Sequence, residues 1–345
     1  MLPFSLSRLE ELLSRFAGIK IAVAGDFFLD RYYLIDAELD EPSVETNLTA
    51  YQVVEQRFSP GAAGTVAANL SALGIEKIFA VGFTGNDGEG FELRRQLHLR
   101  NICTDFLAED SERITPCYTK PMRNGKELNR IDIKNRRRTS TSVERHIIDT
   151  VGKLLPEVDA VMIMDQVSEP DCGAITTAVR NNLSELSAAQ DKKLFYADSR
   201  ENIGIFRNMI IKCNEREATE TFGIYEGKSL PQEMLKQSGI KLSERNGKPV
   251  FITLGENGQL VIDGSNADGN KAVYVPAVKV DGEIDFCGAG DAASAALVSA
   301  LCAGASLKEA AFIGNLAASV TIQKLGQTGT ASADEIIQAY NRYFL

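Results

Sequence analysis

The sequence predicts an α/β protein: a mostly parallel central sheet, helices on both of its faces, and a small β-sheet lid. Three observations carry this. From residue 143 onward, short apolar runs alternate with longer segments of helical periodicity, the pattern of strands joined by crossover helices. A first apolar run at 20–24 ends in Gly25-Asp26, a loop at the carboxyl end of a strand, where open α/β sheets bind ligands. Two hairpin-like excursions, 31–58 and 114–133, break the alternation and supply the lid. A chain of 345 residues is expected to form one such domain, 1–345, rather than two equal ones.

The elements follow in order. Leu9, Leu12, Leu13 and Phe16 repeat at helical spacing, and Ser7 with Glu10 has capping-box spacing. The first segment therefore reads as an amphipathic surface helix and not as a signal peptide. After the strand at 20–24, strands are expected at 32–35 and 50–58, flanking an acidic loop at 36–45. Pro60-Gly61-Ala62-Ala63-Gly64 opens a helix that ends near Leu73-Gly74. A strand at 78–81 leads through a turn at 85–90 into a helix ending near Leu99. Asn124-Gly125 marks the hairpin turn of 114–133. Helices at 143–155, 170–187 and 214–222 alternate with strands at 159–164, 193–197 and 208–211. Strand–turn–strand units follow at 249–263 and 271–280, and helices at 289–303, 307–323 and 333–343 close the chain.

Composition narrows the function. A net charge of −10 and an acidic isoelectric point give no global basic surface, which argues against nucleic-acid binding. The run Arg136-Arg137-Arg138 reads as a solvated loop, with a phosphate contact as the sharper alternative. Six scattered cysteines without CxxC spacing read as reduced thiols, placing the protein in the cytoplasm. His98 and His146 are the only histidines, so a histidine-rich metal site is excluded. No apolar stretch is long enough to span a membrane.

The chemistry concentrates at Asp285-Phe286-Cys287-Gly288-Ala289-Gly290-Asp291, which opens the Ala-rich helix. Gly288, Ala289 and Gly290 let backbone N–H groups approach an anion. Asp291 puts a carboxylate beside that anion, a costly pairing that phosphoryl transfer needs: amides for developing charge and a base for the attacking hydroxyl. Asp30, after the first strand, suits a pair of sugar hydroxyls; a surface acid is the plain alternative. Gly61, Ala62 and Thr65 form a small-residue helix start against which a sugar can pack, or simply a tight turn. Asn214 and Glu217, spaced i,i+3, suit Mg²⁺ held through water, or a capping box. Thr253, Gly255 and Gly258 form either a nucleotide-admitting turn or a hairpin. The loop 324–330 offers carbonyls to a monovalent cation, or is a connector. The stretch from Gly223 to Ser229 has three residues between its two glycines, not the four a P-loop needs.

The order of these motifs resembles the ribokinase/PfkB family of ATP-dependent carbohydrate kinases over nearly the whole chain. The matching pieces are Gly25-Asp26 to Asp30, the 61–74 helix start, Gly82-Phe83-Thr84-Gly85-Asn86-Asp87 with Gly90, Asn214 to Glu217, Thr253 to Gly258, Asp285 to Asp291, and Lys324 to Gly329. The stretches from Gly25 to Tyr32 and Lys324-Leu325-Gly326 are most similar to the kinase domain of bifunctional heptose-phosphate kinase/adenylyltransferases. Those carry a second domain for which 345 residues leave no room. The resemblance implies a ribokinase-like fold and phosphoryl transfer from MgATP to a sugar or sugar phosphate. It implies Asp291 as catalytic base, the 288–290 amides as anion hole, and Asp30, Gly61, Ala62 and Thr65 at the sugar. Asn214, Thr253, Gly255, Gly258 and Asn315 would serve ATP, with Asn315 beside the adenine. Asn214 and Glu217 would organise Mg²⁺, and Asp285 a potassium-type ion. The lid would pair two copies into a homodimer. Departures are Ala62 for a second glycine, Thr65 for an asparagine, and Phe286-Cys287 for two threonines; the 36–45 loop and Asp165-Gln166-Val167-Ser168 also differ. They leave open the sugar, a nucleoside or vitamin alcohol as acceptor, and a non-catalytic ligand-binding role.

Overall fold

The computed structural model describes residues 4–190, 192–223, 231–264 and 271–345. The chain runs α1 (Leu6–Ser14), β1 (Lys20–Gly25), β2 (Phe27–Ile35), β3 (Glu41–Pro42), β4 (Thr49–Ala50), β5 (Val53–Ala62), α2 (Ala63–Ala72), β6 (Lys77–Gly85) and α3 (Gly88–His98). It continues through β7 (Ile102–Cys103), β8 (Leu107–Asp110), β9 (Cys117–Arg123), β10 (Lys126–Glu127), β11 (Ile131–Ile133), α4 (Thr141–Leu154), β12 (Ala160–Asp165), α5 (Thr177–Ala188) and β13 (Leu194–Ser199). Then come β14 (Ile210–Asn214), α6 (Glu215–Glu220), α7 (Gln232–Asn246), β15 (Val250–Thr253), β16 (Gln259–Ile262), β17 (Ala272–Val275), α8 (Ala289–Cys302), α9 (Leu307–Thr321) and α10 (Ala333–Phe344).

The expected alternation produces a ten-stranded sheet in the order β17-β16-β15-β14-β13-β12-β1-β6-β7, with β8 also on β6. It is parallel from β7 to β15 and antiparallel at β15–β16–β17. Strand β1 lies inside it, with β12 on one side and β6 on the other, so the crevice at the carboxyl end of β1 is the topological place for a ligand. Alternate side chains of β1 go to opposite faces. Ile21 and Val23 pack with α1, α2, α8, α9 and α10; Ala22 and Ala24 pack with α4, α5 and α7.

One residue, Asp26, separates β1 from β2, which enters a second sheet ordered β10-β9-β2-β5, with β11 on β9. Strand β2 runs antiparallel to β5 and parallel to β9. Asn124 and Gly125 both have positive φ (51° and 75°), the turn their sequence signals. The two excursions thus meet in one small sheet. Among the described residues, no helix is long and apolar enough to cross a membrane.

The structure corrects several expectations. Helix α1 is capped by Ser5, whose Oγ accepts from Arg8 N at 3.3 Å, so Ser7 lies inside the helix and makes no capping box. Helix α5 starts at Thr177, not 170, because 166–174 is an irregular loop pinned to Asp26. Helix α7 is missing from the expected elements: its polar, Gly239-interrupted sequence has weak amphipathic periodicity, and Pro231 at its cap is the remaining signal. The short strands β7 and β8 are missing from them too. Residues 224–229, most of the rejected P-loop-like stretch, lie outside the described residues.

Candidate active site

The N-terminus of α8 is built around Gly288, at φ 80°. A β-carbon there would lie 2.8 Å from the Thr328 methyl, so this left-handed turn requires glycine. The segment before it is held on both sides. Asp285 N donates to Ile322 O (2.8 Å), while its two carboxylate oxygens accept from Cys287 N (2.9 Å) and Gly326 N (3.1 Å). Ala289 N donates to Phe286 O at 3.2 Å. Among the described residues, no group accepts the N–H of Gly288, Gly290 or Asp291, the orphan donors of a helix start. The free amides are therefore these three, and Ala289's is already engaged.

Asp291 stands in the first turn of α8. Its carboxylate keeps some access to the cleft, yet the surrounding protein desolvates it. Burial, then repulsion from Asp198, pushes its pKa up to about 7 although Lys212 opposes the rise, and Asp30 adds a smaller repulsion.

Asp198 and Lys212 are not among the residues that the sequence singles out. They are partners across parallel strands β13 and β14, and Lys212 Nζ lies 2.7 Å from Asp198 Oδ2. Nζ is also 3.9 Å from where a β-carbon of Gly290 would be, so the pair underlies the helix start. Ser294 Oγ donates to Gly290 O at 2.8 Å and accepts from Tyr196 OH at 2.7 Å, tying the same turn to β13. The available signal is a lysine inside the apolar run Met209 to Cys213: a cation there must be paired.

Asn214 and Glu217 form the capping box of α6. Asn214 Oδ1 accepts from Glu217 N (2.9 Å), and Glu217 Oε2 accepts from Asn214 N (2.8 Å). The carboxylate is desolvated, and that burial, with Asp198 nearby, raises its pKa. Its Oε1 has no protein partner among the described residues. Among the described residues, no three acidic, histidine or cysteine groups converge as a metal cage.

On the small sheet, Asp30 pairs with Ser59 and Tyr118 of the neighbouring strands. Burial raises its pKa, and Lys120 opposes that rise. Gly61 leaves room for it: a β-carbon there would lie 3.2 Å from Asp30 Oδ2. Ala62 takes φ 53°, ψ −119°, a conformation suited to glycine. Thr65 is buried, and its hydroxyl donates to Pro60 O at 3.1 Å, so it is occupied within the protein; its methyl faces Gly288. Asp26, by contrast, is internal: its carboxylate accepts the N–H groups of Gln166, Val167 and Ala174. Burial, then repulsion from Asp165, pushes its pKa up to about 6 despite these three bonds.

A cavity of ≈ 600 Å³ lies beside the α8 start. Gly255 and Asn315 line it. Thr253 and Gly258 do not: the Thr253 hydroxyl donates to Cys213 O (3.3 Å), and Gly258, at φ 99°, abuts the backbone of 275–277. Both Asn315 N–H groups are engaged, donating to Val275 O and Pro276 O, and its Oδ1 accepts from Gln259 Nε2 (2.8 Å). Around Asp285, the loop after α9 is closed by Lys324, whose Nζ is 2.6 Å from Thr330 O and 2.6 Å from Glu335.

Known proteins share this architecture. Phosphofructokinase-2 from Escherichia coli, solved in complex with potassium, superposes with a TM-score of 0.71 at 18% identity, covering 94% of this chain and 99% of that one. Ribokinase from Thermotoga maritima gives 0.64 at 19% identity, covering 94% and 99%. The fold is ribokinase-like. In sequence, the chain is 27% identical over 325 residues to "Bifunctional protein HldE" of a Nitratiruptor species, and 28% over 331 residues to that of Citrifermentans bemidjiense. These alignments take in 94% and 95% of this chain but 65% and 64% of those proteins. The description "pfkB family carbohydrate kinase" matches residues 29–334, and the chain belongs to that family.

Proposed function

We propose that this protein is an ATP-dependent sugar kinase, moving the γ-phosphoryl group of ATP to a hydroxyl of a sugar or sugar phosphate. The observation that carries this is Asp291, with a pKa near neutrality, in the same helical turn as the free amides of Gly288, Gly290 and Asp291. Asp291 takes the proton of the attacking hydroxyl. The amides hold the charge that develops on the phosphoryl oxygens. Lys212 offsets the negative charge of Asp198 and so keeps the turn hospitable to an anion. Asp30 orients sugar hydroxyls from the small sheet, which acts as the lid over a single domain. Its Gly61 neighbour leaves the room, Ala62 sets the helix start, and Thr65 braces Pro60 beside the anion turn.

The nucleotide takes the ≈ 600 Å³ cavity beside Gly255 and Asn315, with Thr253 and Gly258 shaping the hairpin behind it. Asn214 and the spare oxygen of Glu217 suit a hydrated cation rather than a closed cage. When bound, Mg²⁺ would neutralise charge on the triphosphate. Asp285, tied to the loop after α9, is the proposed monovalent-cation neighbour; with Thr330 O held by Lys324, the ion draws on other carbonyls of that loop. Exposed Val44, Leu48, Val54 and Ile131 on the lid support a homodimer through it. The test is a panel of sugars, sugar phosphates, nucleosides and vitamin alcohols with MgATP. Phosphorylation of a sugar or sugar phosphate is expected; turnover confined to the other alcohols overturns the sugar assignment.

A further inference from the structure

The ≈ 600 Å³ cavity has one wall to which the phosphoryl-transfer chemistry gives no role. Phe286 lines it with 68% of its surface exposed, next to Ile284 at 40%. Among the described residues its ring stacks on no other aromatic ring. An exposed phenylalanine inside a concave site is the informative kind of exposed apolar group. Its backbone is also fixed. Asp285 before it is anchored through Ile322 O, Cys287 N and Gly326 N, and its own carbonyl accepts from Ala289 N. The ring is therefore presented to the cavity by a rigid segment.

The polar lining divides in two: Glu256, Asn257, Lys279 and Asp281 are exposed at the cavity, whereas Asn315 is buried and already engaged. Both Asn315 N–H groups are spent on Val275 O and Pro276 O, and its Oδ1 accepts from Gln259 Nε2. Val278, Ala318 and Ile322 add apolar surface to the same cavity. A flat aromatic ligand gains from such walls by stacking and desolvation, and not from the Asn315 N–H groups. The phosphate end of that ligand is fixed by proximity: Phe286 precedes Gly288, where the free amides begin, by two residues.

We propose that Phe286 is the aromatic wall of the nucleotide cleft and stacks on the base of a purine nucleoside di- or triphosphate. The inference rests on the kinase reading above, since that reading puts a nucleotide in this cavity. It adds that base recognition here is mainly by stacking, with Phe286 as its principal contact.

The chain contains no tryptophan, so Phe286→Trp creates a single fluorescent reporter. Titration of that variant with MgADP is expected to change its emission with the midpoint that calorimetry gives. Phe286→Ala is expected to weaken MgADP about tenfold, in line with the loss of one stacking face, and Phe286→Tyr to restore it. Tripolyphosphate, which has no base, is expected to bind wild type and Phe286→Ala alike. Equal MgADP affinity in wild type and Phe286→Ala overturns the stacking role while leaving the kinase reading intact. No MgADP binding to wild type by calorimetry overturns both. Emission of Phe286→Trp that varies with protein concentration and not with MgADP assigns the ring to a contact between two copies, and overturns the proposal.

Discussion

Lys212 Nζ lies 2.7 Å from Asp198 Oδ2, in a pair that is nearly buried and next to Gly290. Breaking a buried pair by removing one partner costs about 3–5 kcal/mol, because the other charge stays uncompensated. Lys212→Met should therefore lower stability by about that amount. It should also slow turnover by about tenfold or more, since Asp198 then repels the incoming phosphate. Adding Asp198→Asn should return most of the stability in a denaturant titration and most of the turnover, because the repelling charge is removed with it. A double variant as slow as Lys212→Met would overturn the charge-offsetting role of Lys212.

Asp291 links activity and stability with opposite signs. Its folded pKa, about 7, is above the ordinary 3.8, so the charged form is disfavoured in the fold. Its contribution to stability is then full below about pH 4 and is lost as pH rises toward 7. Asp291→Asn should melt higher than wild type at pH 8, and the gap should close toward pH 4. The ceiling on that gain is about 4 kcal/mol, because each tenfold rise in proton affinity is worth about 1.4 kcal/mol. The same variant should lose about 10²–10⁴-fold in turnover. Wild-type kcat/KM for the acceptor should rise with pH through about 7. A flat profile from about pH 5.5 to 8.5 would remove Asp291 as the base.

Ala62 holds φ 53°, ψ −119°, where an alanine carries strain of about 1–3 kcal/mol. Glycine relieves that strain but costs about 0.5–1 kcal/mol of chain entropy. Ala62→Gly should therefore stabilise by about 1 kcal/mol, a rise in Tm of roughly 2 °C. An unchanged or lower Tm would mean that the methyl group contributes packing that exceeds the strain.

Exposed Val54 (60%) and Ile131 (61%) on the small sheet, with Val44 and Leu48 in the separate two-stranded β3–β4 hairpin, are the surface proposed to pair two copies. A charge placed there costs nothing in an isolated monomer and much in a buried interface. Val54→Lys should halve the mass measured by light scattering while leaving thermal stability of the single chain near wild type. A wild-type protein that is monomeric at tens of micromolar would remove the dimer.

The parts of the fold that are legible in the sequence are those where one physical signal acts alone. Buried parallel strands such as β1 and β12 read as continuous apolar runs, and Asn124-Gly125 marks its turn because both positions require positive φ. Helix α7 is hard to read because its stability comes from Leu235 and Leu242 packing on the sheet, while the rest of its sequence is polar and broken by Gly239. At the site, Asp291 is legible from its place at a glycine turn. Asp198 and Lys212 are not, because each stands 14 residues from the other in sequence and only strand pairing makes them neighbours. Asn315 illustrates the converse: its side-chain type suggests a base contact, but Gln259 on a different element takes its amide.

Glu217 allows a clean separation of a cap from a cation role. Its Oε2 accepts from Asn214 N, completing the capping box, while its Oε1 is left over. Glutamine at this position can still accept from Asn214 N, so Glu217→Gln keeps the box and removes the charge. Alanine removes both. If Glu217 only caps α6, Glu217→Gln should match wild type in Tm and turnover, and Glu217→Ala should lose about 1 kcal/mol. If it also organises Mg²⁺, Glu217→Gln should keep its Tm yet need several-fold more magnesium for half-maximal rate. We expect the second result, because Oε1 is left over beside Asp198 once Oε2 has completed the capping box, so a cation there gains two carboxylates at once. Removing magnesium with EDTA should stop turnover in both wild type and Glu217→Gln. Identical magnesium dependence in those two proteins would return Glu217 to the capping box alone.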